Sequence, residues 1–129
     1  MSSELGLQFA KALAAKDREA LLGLFDPALD FRALTPRKPW ESTSAAEVVD
    51  DIILGAWFDP GDAIQSLDDV EVGNFADRDK VRYQLRVTNA DGDFAVEQEA
   101  YFTVDNDRIN WIRILCSGYC PVEAGATTS

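Results

Sequence analysis

The run Val81-Arg82-Tyr83-Gln84-Leu85-Arg86-Val87-Thr88, the break Asn89-Ala90-Asp91-Gly92-Asp93 and the run Phe94 to Val104 decide the fold. Val81, Tyr83, Leu85 and Val87 alternate with Arg82, Gln84, Arg86 and Thr88, which marks a strand with one buried face. Asn89 to Asp93 supplies turn residues. The second run sets Phe94, Val96, Gln98, Ala100, Phe102 and Val104 on one side and Glu97, Glu99, Tyr101 and Thr103 on the other. A four-residue loop, Ala90 to Asp93, would put Arg86 opposite Glu97, Gln84 opposite Glu99 and Arg82 opposite Tyr101. That register joins unlike charges outside and gathers Tyr83, Leu85, Val87, Val96, Gln98, Ala100 and Phe102 inside. Asp105-Asn106-Asp107 then turns the chain into a last strand, Ile109 to Cys116, with Trp111, Arg113 and Leu115 expected outside.

Upstream the period is helical. Leu5, Phe9, Ala12 and Leu13 form one apolar stripe. Asp17 can cap a second short helix carrying Leu21, Leu22, Leu24 and Phe25, which Pro27 stops. Leu29 to Ala33 alternates as a strand, interrupted by Thr35-Pro36-Arg37-Lys38-Pro39, because proline cannot donate to a sheet ladder. Ser44-Ala45-Ala46-Glu47 has the spacing of a capping box, with Glu47 expected to reach back to an orphan amide. Val48, Val49, Ile52, Ile53, Ala56 and Trp57 then supply the buried face of a third helix ending before Asp59-Pro60-Gly61, and Val70 and Val72 begin the period of two weakly.

With 129 residues the chain is the size of one domain, read as 1–122, with Glu123 to Ser129 as a loose tail. Twelve Lys and Arg against 23 Asp and Glu leave a net charge of −11. That balance argues against nucleic acid as a partner, since such binding depends on cations neutralising phosphates. No apolar run approaches the ~20 residues of a membrane span, so no membrane partner is expected. The start, Met1-Ser2-Ser3-Glu4, lacks a basic region followed by an apolar run, and a cytoplasmic location is the expectation. The sequence contains no histidine, which removes Ser-His-Asp and Cys-His nucleophile systems and His-ligated zinc. Cys116 and Cys120 lack the further ligands of a zinc site, and Asp91-Gly92-Asp93 is a turn rather than a calcium loop. No metal and no cofactor is expected, and Cys116 is read as a buried free thiol.

Three helices followed by a long antiparallel meander resemble the nuclear transport factor two-like superfamily. So do Asp17 at the second helix, Pro39-Trp40-Glu41 before the capped third helix, and Val104-Asp105-Asn106-Asp107-Arg108-Ile109 at the last turn. The group includes SnoaL-like polyketide cyclases, ketosteroid isomerase and scytalone dehydratase. The resemblance implies an α+β fold, a cystatin-like roll in which a curved antiparallel sheet forms a cone around the N-terminal helices. It also implies a conical pocket for a small apolar molecule and dimerisation through the outer sheet face. The isomerase's catalytic residues do not carry over. Its tyrosine falls at Phe9, its general base at Arg32 or Ala33, and its second acid at Ala100. Asp30 is the nearest acid, on the opposite face of its strand.

The expected ligand-binding residues are therefore Tyr83, Gln98, Arg32, Phe9, Trp40, Trp57 and Phe102. Gln98 is the one polar residue in an otherwise apolar inner series, so it either orients a ligand or bonds Tyr83, a backbone group or a water. Arg32 would recognise an anion if it points inward and is solvated or paired if it points outward. Trp40 and Trp57 flank the third helix and either line an apolar site or are structural. Arg82, Arg86, Glu97, Glu99, Tyr101, Trp111 and Arg113 suit a two-fold interface, the alternative being exposed cross-strand ion pairs. These features imply a dimeric small-molecule-binding domain. The alternative is a SnoaL-like enzyme of isomerase, cyclase or hydratase type, acting on a polyketide, steroid or terpenoid-like substrate with Asp30 as candidate acid.

Overall fold

The computed structural model describes residues 2–122; the tail read at 123–129 lies outside the described residues. Helix α1 spans Ser2–Ala14 and α2 spans Arg18–Leu24, with the Asp17 carboxylate accepting from the Ala20 amide at 3.1 Å. Phe25 already begins strand β1, Phe25–Thr35, because the proline at 27 excludes further helix. The Thr35–Pro39 interruption is a hairpin: β2, Lys38–Ser42, pairs antiparallel with β1. The sequence reads here as an interruption, but the structure adds a strand, and Pro39 is tolerated in it because β2 lies at the sheet edge.

The third helix starts at α3, Ala45–Glu47, and continues as a π-helix over Val48–Trp57. Ser44 Oγ accepts from the Glu47 amide at 3.3 Å, as the capping box requires. The Glu47 carboxylate does not reach an amide directly. It takes the Ser42 hydroxyl, whose oxygen in turn accepts from the Ser44 amide at 3.0 Å. The winding differs from the α-helical expectation, while the face it buries, Val48, Val49, Ile52, Ile53 and Trp57, is the expected one.

The remaining strands are β3 (Ala63–Phe75), β4 (Arg78–Asn89), β5 (Gly92–Asp105), β6 (Arg108–Cys116) and β7 (Cys120–Pro121). The seven-stranded sheet runs β2-β1-β6-β5-β4-β3, and β7 extends it by pairing with β5 beyond the end of β6. The sheet is mixed rather than wholly antiparallel, because β1 meets β6 in parallel. The β4–β5 hairpin differs from the expected register by two residues. Asn89 pairs with Gly92, Arg86 with Ala95, Gln84 with Glu97 and Arg82 with Glu99. A two-residue slip keeps every side chain on its face, and the turn chemistry selects it. Asn89 Oδ1 accepts from the Asp91 amide at 2.8 Å, and Gly92 takes φ 128°, which side-chain-bearing residues rarely adopt. The β5–β6 turn places Asn106 and Asp107 at φ 55° and 62°, both left-handed as a two-residue hairpin needs.

The sheet's inner face closes on the helices. Phe9, Leu13, Leu21, Phe31, Ile53, Tyr83, Leu85, Phe102 and Ile112 are all buried in one core. This is the expected α+β roll with a curved sheet around the N-terminal helices. No helix among the described residues is long and apolar enough to cross a membrane.

Candidate functional site

Five of the seven expected ligand residues meet in the interior. Tyr83 and Gln98 are cross-strand partners on β4 and β5, and both are fully buried. The Tyr83 hydroxyl donates to Gln98 Oε1 at 2.6 Å, while Gln98 Nε2 is buried with no partner in the chain. Phe9 sets its ring edge against Tyr83 at 6.2 Å, and Phe102 lies two pairs along the same β5 face as Gln98. Trp57 packs on Phe31 at 6.0 Å, and its Nε1 is a second buried donor without a partner. Gln98 is the one buried polar or charged side chain apart from tyrosine among the described residues. Loss of water pushes the Tyr83 hydroxyl well above its usual pKa, and the nearby Cys116 adds to the shift.

Trp40 stands at the border. It is half-buried, meets Trp57 edge-on at 6.2 Å, and donates its Nε1 to Thr35 Oγ1 at 3.0 Å. Arg32 does not join the interior. It faces outward, 65% exposed, 3.7 Å from Glu41. Asp30 also faces outward and accepts from Arg113 at 3.1 Å. The β1 bulge falls between Phe25 and Asp30, and pairing is continuous from Asp30 to Leu34, so alternation sends Phe31 and Ala33 in and the charged pair out. Phe9, Ala33 and Ala100, where the resemblance would put isomerase groups, are buried and apolar. The interior thus offers hydrogen-bond donors and apolar surface, and among the described residues no carboxylate is buried in it.

The cone interior carries the chain's own aromatic side chains, several of them below 2% exposed. The concavities of about 660 and 420 Å³ lie outside it. The larger is a groove on the outer sheet face, floored by Leu34, Pro39, Tyr101 and Leu115 and bordered by Arg32 and Glu99. The prolines at 36 and 39 hide β2 in the sequence, so nothing there aligns Leu34 and Pro39 with Leu115. Elsewhere on the same sheet face, Arg82 bridges Glu71 at 2.7 Å and Glu97 at 3.4 Å. Trp111 is held between the guanidinium groups of Arg78 and Arg113, 4.4 and 4.3 Å from its ring. Among the described residues no cluster of three or more Cys, Asp or Glu side chains is placed to hold a metal ion. Cys116 is buried and Cys120 exposed, both as free thiols.

No protein-family model matches the sequence, and neither does any curated protein. Solved structures do resemble the fold. An epoxide hydrolase of the LEH-like type from M. tuberculosis superposes with a TM-score of 0.68 at 10% identity, over 90% of this chain and 82% of that one. A ketosteroid isomerase-like protein from Catenulispora acidiphila, solved with trimethylamine, gives 0.68 at 14% identity over 88% and 85%. A nuclear transport factor two-like protein from Burkholderia thailandensis gives 0.66 at 19% identity over 89% of each chain. The chain has the nuclear transport factor two-like fold shared by these proteins.

Proposed function

We propose that the protein is a small-molecule-binding domain whose interior takes a neutral, largely apolar molecule bearing one hydrogen-bond acceptor, and that it works as a homodimer through its outer sheet face. The observation that carries the first part is Gln98 Nε2, fully buried and unpartnered while the other end of the same amide is held by Tyr83. A buried donor left unmade costs roughly 1–3 kcal/mol, so an acceptor brought by a ligand has something to gain there. Charge selects against an anion. The interior holds no cation among the described residues, and the chain carries −11 overall. The enzyme alternative loses its candidate acid, since Asp30 is outside and ion-paired.

The dimer rests on the outer face. Arg32, Arg78, Lys80, Arg82, Arg86 and Arg113 stand there, half of the chain's 12 cations, interleaved with Glu41, Glu71, Glu97 and Glu99. Elsewhere the surface is acidic and repels its copy. A two-fold partner can set one copy's arginines against the other's glutamates, with Leu34, Tyr101 and Leu115 at the centre. Native mass spectrometry of freshly purified protein, followed by denaturation of the same sample, tests both parts. A dimer mass carrying an addition on the order of a few hundred daltons is expected. A bare monomer, with Gln98 side-chain amide signals unmoved by millimolar cyclohexanone, would overturn the reading.

A further inference from the structure

Tyr83 and Gln98 have a third neighbour in their row of the sheet. Gln98 on β5 is flanked on the same inner face by Tyr83 of β4 and by Cys116 of β6. Directly opposed residues hold their Cβ atoms about 4.5–5.5 Å apart, which brings the Cys116 thiol beside the Gln98 side chain. The direction of the amide follows from its own bond. Its Oε1 turns to β4 and accepts from Tyr83, so Nε2, on the other side of the amide carbon, is turned away from β4. Cys116 is the neighbour across the opposite edge of β5. Tyr83 also polarises this amide, because a hydrogen bond accepted at its oxygen makes its N–H a stronger donor. The sulfur is held too: the Gly118 amide donates to Cys116 Sγ at 3.4 Å. Cys116 is 9% exposed, the most open residue of the buried core, whereas Gln98 has no exposure. The row thus has a thiol at its more open end and, inside it, a buried donor with no partner in the chain.

We propose that Cys116 is a nucleophile of the interior site, and that the ligand is a neutral α,β-unsaturated ketone whose oxygen is taken by Gln98 Nε2. This rests on the reading of the interior as a site for an apolar molecule with an acceptor, and it names the chemical class of that molecule. The step is a conjugate addition. Sulfur bonds to the β-carbon, the carbon–carbon double bond is spent, and the thiol proton ends on the α-carbon. Atoms and electrons balance without an oxidant, a reductant or a leaving group. As the sulfur–carbon bond forms, negative charge develops on the ketone oxygen, and a buried donor with no competing partner acts most strongly on charge that appears there.

The chain's two thiols make the test internal. Cys120→Ser leaves Cys116 alone, and Cys116→Ser leaves the exposed Cys120 alone. Each folded variant is treated with cyclohexenone and, separately, with dithiobis(nitrobenzoate), a bulky anionic reagent that reports accessibility, and intact masses over time give the rates. We expect the order of the thiols to reverse. Cys120 reacts faster with the disulfide reagent, and Cys116 reacts faster with cyclohexenone by roughly tenfold or more, the worth of one hydrogen bond to a developing charge. Gln98→Leu in the Cys120→Ser background should remove this advantage, read as the ratio of the two rates on the same protein. Saturated cyclohexanone has no electrophilic β-carbon and should slow the addition by occupying the site, a check that needs no substitution at Gln98. Cys116 slower than Cys120 with both reagents, or an addition that cyclohexanone leaves untouched, overturns the proposal. In either event Gln98 amide signals that move with cyclohexanone keep the binding site and dismiss Cys116 as its nucleophile, whereas unmoved signals remove both.

Discussion

Tyr83 and Gln98 face one another across β4 and β5, and the 2.6 Å bond from the Tyr83 hydroxyl to Gln98 Oε1 fixes which end of the amide is left over. Because the two are cross-strand neighbours, the backbone ladder holds them at this spacing, and no rotamer of Gln98 can satisfy both ends on Tyr83 alone. An apolar residue at 98 would continue the series Val96, Ala100, Phe102 without an unpaired donor. The polar pair is thus a stability cost placed where the fold could have avoided one.

Deleting one partner should cost more than deleting both. Gln98→Leu strands the Tyr83 hydroxyl in an apolar interior, and a loss of about 1–3 kcal/mol is expected. The double variant Tyr83→Phe with Gln98→Leu removes both polar groups, and its stability should return to within about 1 kcal/mol of the parent. Urea denaturation of the three proteins checks this. Cyclohexanone binding should be lost in both variants, which separates the site from the stability.

Alkaline pH should unfold the chain through the same hydroxyl. Burial raises the Tyr83 pKa well above its ordinary value, so the folded chain holds this proton more tightly than the unfolded one. Its contribution is complete below the unfolded value near 10 and is lost as pH rises towards the folded value. Stability should fall above about pH 10 with a slope of up to about 1.4 kcal/mol per pH unit from this group. Tyr119 is also raised, by burial first and then by Asp62, and acts with the same sign. Denaturation midpoints from pH 8 to 11 measure the slope, and Tyr83→Phe should flatten it.

The faces of β4, β5 and β6 were legible because a period of two survives wherever one side is buried. Their register was not, because Arg82 opposite Glu99 is as favourable as Arg86 opposite Glu97, and only the Asn89–Gly92 turn distinguishes them. Strand β3 was nearly silent since its bulges, between Ile64 and Ser66 and between Asp68 and Glu71, break the alternation. The third helix showed its buried face, yet Val48, Val49, Ile52, Ile53 and Trp57 fit α and π winding alike. Gln98 announced itself as one polar residue in an apolar series. The bond from the Tyr119 hydroxyl to the Trp57 carbonyl oxygen left no trace, because it joins residues 62 apart in the chain.

A charge at the centre of the outer groove should separate the dimer without disturbing the fold. Leu115 is 57% exposed in the single chain, so Leu115→Asp should change folding stability by no more than about 0.5 kcal/mol. In a two-fold interface each copy would bring its aspartate near the other, and the dissociation constant should rise roughly tenfold or more. Sedimentation velocity across a concentration series reads the shift. An unchanged association constant would place the interface elsewhere.

Two glycines allow a backbone cost to be separated from a steric clash. Gly92 sits at φ 128° with open space where a Cβ would stand, so Gly92→Ala meets a backbone cost alone. At Gly118 the backbone is also left-handed, at φ 78°, but a Cβ would come within 2.7 Å of Pro36 Cγ and 3.0 Å of Cδ. A proline ring cannot swing aside as a flexible side chain does, so the clash must move either the β1–β2 turn or the segment that carries Tyr119. Gly118→Ala should therefore lose more stability than Gly92→Ala, whose own cost is about 1–3 kcal/mol. Thermal unfolding of the two variants makes the comparison, and equal losses would mean that the Pro36 ring yields to the new Cβ.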